Sequence, residues 1–344
     1  MRRRTKRLGS RRTLIYIVIL LALVVVNYLR SENSAEAAEE KVAEKAVEKA
    51  VESPSAAPTR PIEKSREEPA PAPKKKVKSA KVKTAFSGWA ELPAEMMGEE
   101  LYATHHLDSE GRRNFSVCYN SKHHSPMWVA TPMHRSYEGD TKRVDNYDYD
   151  PTLPVNIQIR LSRSYGEYTR GHMLGSAERN ASRELNNQTF YVSNIAPQMQ
   201  DGFNQMGGAW NNLESFVDKQ VCADTLYLVT GAIYERYTDT DGTVIEPRTT
   251  INKNDGKQVG VPTAYYKAML RTKKGNTGRS VMECSREELK CAAFIVGHRS
   301  AKKRKPTSKE MLSIDELERL TGVDFFAGVE NAPEDVAKAE EWGL

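Results

Sequence analysis

Three neighbouring runs decide how the chain is read: Tyr168-Thr169-Arg170-Gly171-His172-Met173, then Phe190-Tyr191-Val192-Ser193-Asn194-Ile195-Ala196-Pro197-Gln198, then Phe203-Asn204-Gln205-Met206-Gly207-Gly208-Ala209-Trp210-Asn211-Asn212-Leu213-Glu214. In the first, an Arg stands two residues before a His with Gly between. That spacing can aim a guanidinium and an imidazole at one phosphate. The guanidinium is a fork that matches phosphate oxygens, and the imidazole is a base that is neutral near pH 7. Gly171 permits a turn or a close backbone approach. Taken alone, the run reads equally well as a loop Arg beside a hydrogen-bonded His. The second run predicts a strand over Gln188–Ile195 that ends near Asn194 in a Pro-Gln turn. The third leads into a helix over Ala209–Cys222, because apolar residues recur at 210, 213, 216, 217 and 221.

Outward from there, Thr225–Tyr234, Thr263–Thr272 and Cys291–His298 are short apolar runs bounded by turn signals, which predicts strands. Ser313–Leu320 opens with Ser and carries Glu316 three residues on, a capping box, and Gly322 ends it. Strands and helices do not alternate regularly, so the fold class expected is α+β with a largely antiparallel central sheet flanked by helices. The globular part starts near Gly88 and runs to Leu344; there are no internal repeats.

The chain has 344 residues, enough for a sizeable core. Its net charge of +5 is no sign of a nucleic-acid footprint. The first twelve residues hold seven cations and no acid, which leaves about −2 for everything else (5 − 7). After this basic segment, Thr13–Leu29 is uncharged and, at roughly 1.5 Å per residue, just spans a hydrocarbon core of roughly 30 Å. The basic flank stays inside, which puts the remainder outside: a signal-anchor in a bacterial-type inner membrane with a periplasmic domain. The rival is a cleaved signal peptide and a secreted product, with Ala35-Glu36-Ala37 as the small-residue pattern. Residues 30–87 are rich in Pro, Lys, Glu and Ala and cannot bury apolar area. They read as a stiff tether, whose Lys74–Lys83 cluster could touch acidic polymers. Cys118, Cys222, Cys284 and Cys291 show no zinc-like spacing. Outside the cytoplasm one or two disulfides are expected, with four buried thiols the other reading.

A strand ending in Asn, a Pro-Gln turn, then Asn, Gly, Trp and Glu entering a helix is an unusual run. It closely resembles the DNA/RNA non-specific endonucleases, a family of ββα-metal nucleases. Arg113-Asn114-Phe115-Ser116, Trp128-Val129-Ala130, Val229-Thr230-Gly231-Ala232-Ile233-Tyr234 and Leu320-Thr321-Gly322-Val323-Asp324-Phe325-Phe326 extend the likeness over roughly residues 88–344. The resemblance implies a ββα-metal nuclease fold and hydrolysis of DNA and RNA phosphodiesters, without sequence reading, to 5′-phosphate products. It implies His172 as general base, Arg170 on the phosphate, Asn204 as metal ligand, Glu214 holding metal through water, and Asn194 in support. Arg143, upstream of Asp150-Pro151, is the candidate for a further transition-state Arg. Mg²⁺ is the implied cation, with Mn²⁺ as the alternative, and a homodimer is left open. Three departures stand out. The family motif is Asp-Arg-Gly-His, and its Asp is Thr169 here. The Pro often found three residues after the His is Gly175. Two extra residues lie between Asn204 and Trp210, which puts the place of Asn204 in question against Asn211 and Asn212.

Adjacent His residues in a strand face opposite ways, so neither His105-His106 nor His123-His124 readily shares a metal. His134 and His298 read as structural. Trp210, Phe216 and Val217 read as helix core, and Lys302-Lys303-Arg304-Lys305 reads as a solvated loop that in a nuclease could grip phosphate. No GxSxG, HExxH or Walker run suggests another hydrolase. The alternative of another class is a catalytically weak or inactive nuclease fold kept for nucleic-acid binding or as an envelope scaffold.

Overall fold

Along Cys291–Val296, successive side chains leave the backbone on opposite sides. Cys291, Ala293 and Ile295 enter one apolar core, and Ala292, Phe294 and Val296 enter another. A strand covered on both faces must be apolar on both, so its sequence is a continuous hydrophobic run instead of an alternation. The same holds for its neighbours, and it sets the architecture: a central sheet with a layer on each side.

The computed structural model describes residues 88–344 apart from Ser164 and Met206. The expected anchor at Thr13–Leu29 and the tether lie outside the described residues. Among the described residues no helix is long and apolar enough to cross a membrane. In chain order the elements are β1 (Leu101–Leu107), β2 (Arg113–Asn120), β3 (Ser125–Met133), β4 (Thr169–His172), α1 (Arg183–Gln188), β5 (Ile195–Gln198), α2 (Ala209–Asp218) and β6 (Leu226–Ile233). There follow β7 (Tyr237–Thr238), β8 (Val244–Ile245), β9 (Arg248–Ile251), β10 (Gln258–Val261), β11 (Ala264–Thr272), β12 (Leu289–Gly297), β13 (Met311–Leu312), α3 (Ile314–Thr321) and α4 (Ala339–Trp342). Seven strands form the sheet in the order β1-β2-β3-β6-β11-β12-β13. Every neighbouring pair in it is antiparallel.

On one face, α2 sinks Trp210, Leu213 and Val217 among Tyr265, Met269 and Phe294. Full burial of such a side chain contributes roughly 1.5–3 kcal/mol. On the other face, Ile314 and Leu317 of α3 join Val323, Phe325 and Phe326. A third cluster, including Ile159, Leu161, Tyr165, Tyr168, Val192, Ile195, Val259 and Val261, backs the two-stranded ribbon β4-β5.

The α+β class, the antiparallel sheet and the strands at 225–234, 263–272 and 291–298 match expectation to within a few residues. So does the capping box: Ser313 N donates to Glu316 Oε2 at 2.7 Å, Glu316 N donates to Ser313 Oγ at 3.2 Å, and Gly322 is left-handed at φ 71°. Three expectations are corrected. Gln188–Ile195 is not a strand: Gln188 closes α1, Val192–Asn194 is a 3-10 turn, and β5 begins at Ile195. The cause is the Asn194 amide, which donates to Thr189 O at 2.7 Å and Leu174 O at 2.9 Å and curls the backbone around itself. The helix from Ala209 stops at Asp218, short of Cys222, where Gln220 N turns back to Val217 O at 2.8 Å. The four cysteines are free thiols and form no disulfide. Cys118 on β2 and Cys291 on β12 are separated in the sheet by β3, β6 and β11, while the Cys222 and Cys284 thiols donate to the Asp224 and Ser280 carbonyls at 3.3 Å each.

Replacing the cap, Ser313→Ala, should lower stability by about 1 kcal/mol. The check is the urea midpoint, which should fall with the slope of the transition unchanged.

Candidate active site

In the β4-β5 ribbon His172 faces Ile195, Gly171 faces Ala196, Arg170 faces Pro197 and Thr169 faces Gln198. Asn194 is fully buried at the far end of the ribbon. Besides its two amide donations, its Oδ1 accepts from Leu174 N at 2.9 Å and its carbonyl accepts from Met173 N at 2.9 Å. This clamp fixes the two residues that follow His172.

The other end is organised around Gly171. A Cβ there would stand 2.1–2.3 Å from the Gln198 side chain, so glycine is what lets Gln198 lie across the ribbon. Gln198 Oε1 then accepts from Asn204 Nδ2, and Asn204 N donates to Met199 O at 3.1 Å. Asn204 is therefore tied twice to the end of β5. Beyond it, Gln205 N returns to Gln200 O at 3.0 Å and Gly208 N to Gln205 O at 3.1 Å. Asn212, a rival for the role of Asn204, spends its amide on the Gly207 and Arg304 carbonyls at 2.8 and 2.7 Å. Two side-chain nitrogens here, His172 Nε2 and Gln198 Nε2, are buried without a hydrogen-bond partner. Burying such a group without a partner is costly.

Arg143 comes from the long connection between β3 and β4 and still reaches the ribbon. Its Nη1 donates to Ser176 Oγ at 2.9 Å, its Nη2 to Tyr147 Oη at 3.2 Å and its Nε to Asp145 Oδ1 at 2.8 Å, and its guanidinium lies 4.8 Å over the Phe190 ring. Arg170 lies 3.8 Å over the Tyr147 ring and donates to Ser162 O at 3.1 Å. The His172 ring meets the same two aromatics edge-on, Phe190 at 4.9 Å and Tyr147 at 5.8 Å. Three of the expected residues thus converge on one pair of rings. Burial, and then the Arg143 charge, push His172 down to about 3, against smaller upward pulls from the Arg170 backbone and Asp145. The ring is accordingly neutral at physiological pH.

Glu214 sits on α2, which is tied to the Asn204 loop by Asn211 N donating to Phe203 O at 3.1 Å and by Trp210 stacked on Phe203 at 6.1 Å. Burial raises its carboxyl to about 8; Lys267 opposes the rise, and Glu178 and Asp218 add to it. A cation nearby would favour the ionised form. Among the described residues no group of three or more His, Cys, Asp and Glu is placed to hold a metal. The donor set on offer is an amide oxygen of Asn204 and the Glu214 carboxylate. Such a set fits a hard cation that keeps most of its water and has no thiolate or imidazole set for a softer one.

Sequence reasoning assigned no role to Gln198, Tyr147 or Phe190. Gln198 carried a signal, since it sits in the quoted Pro-Gln turn opposite a glycine; the two rings carried none, because their place depends on loop geometry. The remaining histidines are structural. His106 pairs with buried Asp150 at 2.9 Å while His105 meets Ser116 on the opposite side at 2.7 Å. His123 stacks on Tyr234 at 4.2 Å, His124 meets Gln258 O at 2.8 Å and His134 caps a 3-10 turn. His298 donates from Nδ1 to Pro262 O at 2.7 Å and accepts Met199 N at 2.8 Å, and burial lowers it to about 3. The basic run at 302–305 is not simply solvated. Lys302 pairs with Asp201 at 2.9 Å, and Arg304 is locked to Asp239 and to Glu310, the latter at 3.0 Å, because the loop folds back onto those carboxylates.

The family model for DNA/RNA non-specific endonuclease matches residues 100–332. The chain is 23% identical over 224 residues to mitochondrial endonuclease G of Homo sapiens, covering 64% of this chain and 70% of that one. It is 27% identical over 229 residues to a nuclease of Nostoc sp., covering 63% and 73%. Among solved structures, a chain of the EndoG/EndoGI complex superposes with a TM-score of 0.52 at 23% identity, covering 66% of this chain and 86% of that one, a likeness of fold.

Both His172 and His298 bind no proton until pH approaches 3, whereas the unfolded chain takes one up near the ordinary 6.5. Their contribution to stability is therefore complete above pH 6.5 and is lost as pH falls toward 3. Imidazole ¹⁵N NMR should find both rings neutral at pH 5. Titration of either near 6.5 would contradict their burial.

Proposed function

The chain belongs to the DNA/RNA non-specific endonuclease family, and from that premise we propose that it hydrolyses DNA and RNA phosphodiesters without reading sequence, with His172 as the general base. The observation that carries this reading is the partnerless, buried His172 Nε2, with Arg143 and Arg170 on the rings that flank it. His172 Nε2 accepts a proton from the attacking water. Burial first, and then the neighbouring guanidiniums, keep the ring neutral and make it a weak base. An arriving phosphate offsets their charge and raises its basicity when it is needed. Arg170 and Arg143 then balance the charge that grows on the phosphate oxygens. Asn204, aimed by Gln198, and Glu214 acting through water are the residues that would hold Mg²⁺, or Mn²⁺ in its place. When bound, such a cation supplies charge stabilisation at the phosphate and the leaving 3′ oxygen. Contacts made to phosphate alone leave base and sugar unread, and cleavage on the 3′-oxygen side leaves 5′-phosphates.

We further propose that residues 1–12 stay cytoplasmic, 13–29 anchor the chain, 30–87 act as tether and 88–344 carry the activity outside the inner membrane. The support is the basic flank and the uncharged run of Thr13–Leu29.

Plasmid DNA and RNA should be degraded with Mg²⁺ and spared when a chelator is added; intact substrate with either Mg²⁺ or Mn²⁺ would favour a binding or scaffolding role. His172→Ala should lower turnover about 10²–10⁴-fold with its circular dichroism unchanged, and near-normal turnover would remove the base assignment. Asn204→Ala should lose metal-dependent cleavage while Asn211→Ala keeps it; the reverse would show that the insertion falls on the other side. Gly171→Ala should cut metal-dependent turnover by roughly tenfold or more, by pushing Gln198 off Asn204.

A further inference from the structure

Arg170 and Arg143 present two positive charges to one place, and like charges repel. Arg143 has a partner in Asp145 at 2.8 Å, an exposed pair that contributes little. Arg170 makes no ion pair among the described residues, and the residue before it, Thr169, is neutral. What holds Arg170 is the Ser162 carbonyl at 3.1 Å and the face of Tyr147 at 3.8 Å. The same Tyr147 accepts Arg143 Nη2 on its hydroxyl at 3.2 Å. Its ring is braced edge-on by Phe190 at 5.1 Å and meets His172 at 5.8 Å.

We propose that Tyr147 is a positioning residue that joins Arg170 and Arg143 into a single phosphate clamp, one held on its ring face and the other on its hydroxyl. This rests on the reading of both arginines as phosphate-facing. The physical reason for an aromatic in this place is charge. A carboxylate between the two guanidiniums would hold them by neutralising them, and would then repel a phosphate. A ring face attracts a cation through its quadrupole, and a phenol oxygen accepts a hydrogen bond; neither cancels the charge. Both guanidiniums stay oriented and remain available to the incoming anion. Burial raises the phenol above its usual range, so it stays neutral throughout.

The test uses the full chain with Mg²⁺ and plasmid DNA, beside His172→Ala. Tyr147→Leu removes both contacts and should lower kcat/KM about tenfold, with a shallower dependence of KM on salt and an unchanged melting temperature. Tyr147→Phe keeps the ring face and should lose only about threefold. In an Arg143→Lys background, Tyr147→Phe should cost less than in the native chain, since the guanidinium fork that meets the hydroxyl is gone. Wild-type kcat/KM and salt response in Tyr147→Leu would overturn the proposal, and so would equal damage from Leu and Phe. If Tyr147→Leu does not fold, the Arg143→Lys cycle decides: coupled losses support the clamp and additive losses overturn it. An active His172→Ala would instead strike the reading beneath, whatever Tyr147 does.

Discussion

The missing side chain at Gly171 is the constraint on which the rest of the site depends. Because no Cβ stands there, Gln198 can cross the β4-β5 ribbon within a distance that any other residue would forbid. Its amide oxygen then captures Asn204, while His172, next to Gly171 in the chain, keeps a buried ring nitrogen without a hydrogen-bond partner. The ribbon carries His172 on one strand and Gln198, which holds Asn204, on the other, and Asn194 fixes its far end with four hydrogen bonds. Preorganisation of this kind places polar groups before the substrate arrives, so less of the binding energy goes into ordering them.

The electrostatics follow from the same packing. The ribbon lies on an apolar cluster, so groups on its polar side are poorly solvated. Burial keeps His172 neutral and Glu214 protonated more readily than usual. Each of these shifts relaxes when an ion of the proper sign arrives: an anion beside His172, a cation beside Glu214. Aromatic rings hold both guanidiniums, and only Arg143 also pairs with a carboxylate, that of exposed Asp145.

Much of this was legible along the chain. The core strands read correctly because a sheet covered on both faces demands continuous apolar runs, and α3 because its caps are local. His172, Arg170, Asn204, Glu214 and Arg143 were named from the resemblance to the endonuclease family that the run from Arg170 to Glu214 carries. The failures share a cause. Gln188–Ile195 looked like a strand because Phe190, Tyr191, Val192 and Ile195 favour one, yet a single buried Asn side chain bends that backbone. Arg304 looked solvated because Asp239 approaches from a remote segment and Glu310 only once the loop has folded back.

By itself the sequence determined the class of fold and the helix boundaries set by caps, since each rests on period, propensity or spacing within a few neighbours, and it named the candidate site residues through a resemblance carried by one dense run. Only the tertiary structure decided that Asn204 rather than Asn212 meets Gln198, that the thiols stay apart, and that Tyr147 and Phe190 gather Arg143, Arg170 and His172. Those outcomes depend on distances between segments remote along the chain, and such distances are fixed by how the sheet, the ribbon and the loops pack, not by any local pattern.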